Sequence, residues 1–299
     1  MQDSADTGER CWWRDRRAWP LALVGAVLVG SGLAHVGVWA ALGGPWEGPV
    51  TWRKPILFGI SGGLTSLSLG WGLARLAPRR GDVALAWATA VSLLVEVALI
   101  DLQRWRGVAS HFNRATLLDS FLYDAMGALI VFVTLVSIDL TVRLWRRPPV
   151  GMAGDMVMAA RAGFALLSVS CLLGIWSTAH GEWRMRAGLA PETFGAAGVV
   201  KFPHGAVIHA VQWLPALAWV ARRAGLPGRR RLRLVACAAA GSVIVLAYAL
   251  AQTLLGRARF DTPAALGSLL AVGLVCLAAP AVVTGAAWAR SRRRPPPHA

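Results

Sequence analysis

Long apolar runs, broken by short stretches bearing arginine, tryptophan and proline, dominate this chain. About 20 apolar residues in helical form cross the hydrocarbon core of a bilayer. Runs of that length recur at 19–42, 55–77, 83–103, 117–142, 159–179, 205–221, 234–255 and 263–288. The pattern predicts an all-α fold, a polytopic membrane bundle of about eight transmembrane helices over 19–289. A segment 1–18 precedes it and a basic tail 290–299 follows it. The first run is far longer than the 7–15 apolar residues of a signal peptide. Arg16-Arg17 also lacks the flanking pattern of a twin-arginine signal, so the run reads as a retained helix.

Composition supports the membrane class. Of 299 residues, 56% are hydrophobic and 15% charged, where a soluble domain carries roughly a quarter charged residues. The net charge of +16 would suggest nucleic acid in a soluble protein. Here the arginines sit between apolar runs, so the expected partner is the lipid bilayer and not nucleic acid. Their distribution gives an orientation by the positive-inside rule. With the N-terminus inside, 21 of the 31 lysines and arginines fall on the inner side. The expectation is a plasma (inner) membrane protein with both termini cytoplasmic. Cys11, Cys171, Cys237 and Cys276 form no C-x-x-C pair and predict neither a disulfide nor a thiolate metal site.

The chain also echoes itself. Gln103 to Gly107, then His111-Phe112-Asn113 and Thr116, is matched by Gln252 to Gly256, then Arg259-Phe260-Asp261-Thr262. Pro55 behind Lys54 is matched by Pro203 behind Lys201, and all offsets are 146–149 residues. Two parallel four-helix repeats, 19–147 and 159–289, are the expectation.

Candidate chemistry lies toward the outer face. Outer loops carry TWRKP, DLQRWRG, SHFN, HGEWRMR and KFPHG, in contrast to the mostly arginine-bearing inner loops. Trp46, Trp52 and Trp183 fit an interfacial aromatic belt, and Asn113 and Thr116 fit helix caps. His35, Ser61, Glu96, Asp124, His209 and Tyr248 each lie about five to seven residues inside their outer boundary, a layer roughly 7–11 Å deep. Gln212 shares a helical face with His209. A carboxylate at such depth is costly and normally faces the bundle interior. Glu96, Asp124, His209 and Gln212 are therefore the candidate catalytic residues. Arg104, Arg106, Asn113, His111 and His204 would stand at the pocket mouth. His35, His111, His204 and His209 are candidate metal ligands.

Three resemblances are visible. Gly59-Ile60-Ser61-Gly62 is similar to the G-x-S-G of rhomboid proteases, but His111 falls in a loop and glycine–serine pairs are ordinary helix-packing residues. A four-plus-four plan resembles haem A synthase in architecture only, because the paired histidines of that family have no counterparts on spans 2, 4 and 8. RG-x-x-SHFN (106–113) and KFPHG-x-x-x-H-x-x-Q (201–212) resemble strings in uncharacterised multipass membrane proteins of bacteria. That resemblance implies the multipass fold and brings no activity.

Two functions follow as expectations. The first is a membrane-embedded enzyme or redox protein using a metal or haem near the outer leaflet, on a lipid-like or quinone substrate. The second is a proton-coupled transporter of a small solute, with Glu96 or Asp124 as the coupling carboxylate. An assembly or scaffold subunit is a third, in which the polar layer only holds helices together.

Overall fold

A computed structural model describes residues 11–147, 149, 151–191 and 197–292. Most of the expected segment 1–18 and the end of the basic tail lie outside the described residues. A single 3-10 turn, Trp12–Arg14, leads into α1 (Trp19–Leu42), α2 (Arg53–Arg75), α3 (Asp82–Trp105) and α4 (Leu117–Arg146). Then come α5 (Gly154–Arg186), α6 (Lys201–Val207), α7 (Ala210–Arg223), α8 (Gly228–Leu254) and α9 (Ala264–Arg292). No strand occurs among the described residues. Among the described residues seven helices (α1 to α5, α8 and α9) are long and apolar enough to cross a membrane.

The sixth expected span, 205–221, departs from expectation. It starts at Lys201 and is interrupted, α6 ending at Val207 and α7 starting at Ala210. The interruption is taken up at His209, whose φ of −92° and ψ of 5° leave the helical range. Pro215 lies inside α7; having no N–H, it withholds the hydrogen bond that the carbonyl of Val211 would accept. HGEWRMR, read as a loop, forms the last turns of α5. At 33 residues that helix is about 50 Å long, more than the hydrocarbon needs.

The chain divides into two compact units, Met1–Leu140 and Thr141–Ala299. In the first, α1, α2 and α3 pack mutually. Glycines let α1 and α2 meet backbone to backbone: a Cβ on Gly59 would lie 2.8 Å from Cα of Gly32, and one on Gly63 would lie 2.7 Å from the carbonyl oxygen of Gly25. Where lipid is as apolar as the side chains, such close approach is the main source of helix association. The Ser66 hydroxyl adds a bond to the Leu21 carbonyl at 2.7 Å. Ile100 of α3 buries against Tyr123 and Met126 of α4. In the second unit α5 packs on α6, α7 and α8, and α9 packs on α7 and α8. Gly163 faces Val211, and Gly241 faces the Gly273 carbonyl, each at a distance that a Cβ would obstruct.

Both units are pinned by a buried carboxylate where their first and third helices begin. Arg17, just before α1, reaches Asp82 in the first turn of α3 at 3.6 Å, Asp15 at 2.7 Å and the Leu76 carbonyl at 2.9 Å. Asp155, in the first turn of α5, accepts from Arg231 of α8 at 2.8 Å and from Arg222 of α7 at 3.1 Å. The sign of the pair is reversed between the units. Partial burial pushes the Asp15 carboxyl up, but the hydrogen bonds and charge of Arg17 outweigh it and hold the group below its ordinary value.

The other ends of α3 and α8 are also built alike. Gln103 and Gln252 are fully buried. Four residues on, Gly107 and Gly256 take φ of 73° and 64°, the left-handed cap that glycine adopts without Cβ strain. The next N–H returns to the glutamine carbonyl, Val108 to Gln103 at 3.1 Å and Arg257 to Gln252 at 2.9 Å. The residue after each glutamine then holds the start of the second helix. The Arg104 guanidinium lies 3.8 Å over the Trp52 ring, and the Thr253 hydroxyl donates to the Val199 carbonyl at 3.2 Å.

Candidate functional site

In the first unit a polar and aromatic cluster closes the ends of α1 and α3. His35, which is buried, donates from Nδ1 to the Ser31 carbonyl at 2.9 Å. Its Nε2 lies 3.3 Å from Nε1 of Trp105. An indole N–H can only donate, so Nε2 accepts and the ring is neutral with its proton on Nδ1. Arranged so, His35 has no lone pair left for a metal. Ser31 donates to Oδ2 of Asp101 at 3.2 Å, while Oδ1 of Asp101 is buried without a hydrogen-bond partner. Trp52, expected in the lipid-facing belt, is instead 3% exposed. It packs against Trp105 at 4.9 Å between ring centres and beneath Arg104, because the N-terminus of α2 tucks it under the end of α3. Trp46 and Trp183 do remain exposed.

Glu96 and Asp124, paired in the sequence reading, are in opposite situations. Glu96 is 5% exposed on the buried face of α3, beside Ser92, Leu93, Val97 and Ile100. It has no hydrogen bond or ion pair among the described residues. It stands nine residues before the end of α3 at Trp105, about 14 Å along the axis. Asp124 points outward: its side chain is 62% exposed and takes a bidentate ion pair from Arg114 at 2.8 and 2.9 Å. It therefore does not join Glu96. The guanidinium, reaching from the loop before α4, meets its charge at the surface.

The expected mouth residues are mostly structural partners. Arg106 binds Asp119 at 2.8 Å and also the Gln103 amide oxygen. Gln103 donates to the same carboxylate at 3.0 Å. Thr116 caps α4, accepting from the Asp119 N–H at 3.0 Å and donating to its carboxylate at 2.8 Å. Asn113 accepts from the Ala115 N–H at 3.1 Å and donates to the Ala109 carbonyl at 3.1 Å, so it braces the loop between α3 and α4 instead of capping a helix as expected. His111 packs between Phe58 and Tyr123, with the Ser110 hydroxyl 3.0 Å from Nδ1. Gly59, of the G-x-S-G string, is a packing glycine against Gly32.

In the second unit His204 ties α6 to α5. Its Nδ1 lies 2.7 Å from the Ser170 carbonyl, and the Ser170 hydroxyl donates to the His204 carbonyl at 2.8 Å. The ring lies on Gly174, where a Cβ would come within 3.1 Å of Nδ1. His209, at the interruption, is exposed, with Nδ1 3.2 Å from Oε1 of Gln212, as their shared face required. Tyr248 is fully buried and donates to the Arg259 carbonyl, and Gln252 donates to the Tyr248 oxygen at 3.1 Å. Tyr248 thus secures the loop after α8.

Among the described residues no three His, Cys, Asp or Glu side chains come close enough together to hold a metal ion. Asp101, Asp119, Gln103 and Gln252 were not singled out from the sequence. The signal for the glutamines was their place in the repeated Gln-x-x-x-Gly string.

Fold and side-chain placement define a class, an all-α polytopic integral membrane protein. No protein-family model matches the chain, and no curated protein or solved structure matches it.

Proposed function

We propose that the protein is a proton-coupled transporter of a small solute, with Glu96 as the group that takes up and releases the proton. The observation that carries this reading is Glu96 itself, a residue 5% exposed within an apolar helix, with no hydrogen bond or ion pair to its carboxyl among the described residues. An isolated carboxylate in such surroundings is costly and neutralises by binding a proton. Intramembrane ionisable groups that lack a structural partner mark ion and proton pathways.

Two further features support it. Transporter sites are commonly built at discontinuous helices, and the α6–α7 helix is interrupted at His209. The like-built ends of α3 and α8, and the carboxylate pins of both units, favour descent from a duplicated four-helix unit, the other common mark of transporters. The metal- or haem-dependent enzyme acting on a lipid-like or quinone substrate draws less support, since His35 has both nitrogens engaged and His204 serves helix packing. The lysine and arginine bias favours the plasma membrane with both termini cytoplasmic.

The test is reconstitution in vesicles enclosing a pH-sensitive dye, with outward and inward gradients of a panel of amino acids, sugars and carboxylates. A solute gradient should drive proton movement in the wild type. Glu96→Gln, monodisperse and equally helical, should lose that coupling by at least about tenfold, the usual weight of a group that carries the transferred proton. Equal proton flux in Glu96→Gln contradicts the proposal.

A further inference from the structure

A groove of about 530 Å³ opens where the chain enters α1, lined by Trp13, Arg14, Arg16, Trp19, Val83 and Trp87. That is the size of a cleft that takes a ligand fragment of several hundred daltons. Its floor is fixed. Trp12 packs against Gly70 of α2, where a Cβ would meet the ring at 3.2 Å, and stacks edge-on with Trp13 at 5.9 Å. Arg17 engages both nearby carboxylates, Asp15 and Asp82. Arg14 and Arg16 are thereby left exposed, their guanidinium groups with no ion pair or hydrogen bond among the described residues. Trp13, Trp19 and Trp87 are each about half exposed at 48%, 50% and 46%, and their indole N–H groups have no partner among the described residues.

The lining is ordered by depth. The two guanidinium groups precede α1, Trp19 opens it, and Trp87 lies five residues past Asp82 in α3, about 7 Å further along the axis. In a bilayer this order would put the charge at headgroup level, Trp13, Trp19 and Val83 near the ester level where tryptophan concentrates, and Trp87 nearer the acyl chains. We propose that this groove is a binding site for an anionic phospholipid of the leaflet on that side. The headgroup phosphate would sit between Arg14 and Arg16, and the first part of an acyl chain would lie along Trp87. Two arginines without a counter-carboxylate among the described residues favour an anionic headgroup over a zwitterionic one, whose ammonium they repel. The proposal does not depend on the transport reading.

The test uses the detergent-purified full chain in native mass spectrometry, titrated with phosphatidylglycerol or with phosphatidylcholine of the same acyl chains. The wild type should retain phosphatidylglycerol several-fold more than phosphatidylcholine. Arg14→Gln with Arg16→Gln removes no internal contact and should abolish that preference. Arg146→Gln with Arg147→Gln, equal in charge change but on exposed residues at the end of α4 and just beyond it, should keep it. Absence of a preference in the wild type, an unchanged preference in the Arg14/Arg16 variant, or an equal loss in the Arg146/Arg147 variant would each overturn the proposal.

Discussion

Glu96 and Asp124 show how one residue type at one helical depth takes opposite roles. Asp124 meets Arg114 at the surface, and an exposed ion pair contributes only about 0–1 kcal/mol. Asp124→Asn should therefore leave transport within about twofold of wild type and stability nearly unchanged; a large loss of flux would return it to the site. Glu96 has no such partner, and removing its charge should affect function while leaving folding intact. The sequence ranked both carboxylates alike because their helical depth is readable from run boundaries, whereas a guanidinium ten residues upstream in a loop is not. The buried glutamines are the converse case. Gln103 bonds the Asp119 carboxylate, so Gln103→Leu removes one of that carboxylate's donors and leaves the Arg106 guanidinium without the amide oxygen it also binds. Thermal unfolding in detergent should show a clear fall for Gln103→Leu, and an unchanged transition would mean that Arg106 and Thr116 satisfy Asp119 without it.

At the scale of the element, the apolar runs located every long helix, since length and hydropathy alone decide whether a segment can span. They missed two things that depend on neighbours. α5 continues through HGEWRMR because a helix end projecting from the membrane needs no apolar residues. The α6–α7 interruption lies within one apolar run, and it is set by His204 bonding to α5 and by the backbone at His209. The α1–α2 contact was half legible: Gly59 and Gly63 have the small-x-x-x-small spacing, but the partners on α1, Gly25 and Gly32, are seven apart. Gly59→Val should destabilise by about 1–3 kcal/mol, the range for overpacking, because its Cβ would meet the Gly32 backbone at 2.8 Å. Gly30→Ala, whose Cβ would meet nothing within 4 Å, should be neutral or slightly stabilising. Similar unfolding temperatures for Gly59→Val and Gly30→Ala would show that the helices do not associate through these glycines.

At the scale of the molecule, the interrupted helix bears on topology. Seven long helices among the described residues, with a crossing by α6 and α7 together, would give an even number of spans and put both ends on one side, as the proposed orientation requires. A reporter active only in the cytoplasm, fused after Arg292, should then be active. An extracytoplasmic signal would mean that α6 and α7 do not cross. The all-α multipass fold was legible from composition and run length, and the Gln-x-x-x-Gly strings marked two helix ends, those of α3 and α8, that are built alike. Within the first unit the expected layer divides, Glu96 facing inward and Asp124 outward, because depth along a helix says nothing about which way a side chain faces. The central claim, that Glu96 is the proton-carrying group, is tested most directly by infrared difference spectroscopy of the reconstituted protein across a pH titration. A titrating band from a protonated carboxyl should be present in the wild type, persist in Asp101→Asn and Asp124→Asn, and vanish in Glu96→Gln. A Glu96→Gln spectrum identical to the wild type would contradict the account.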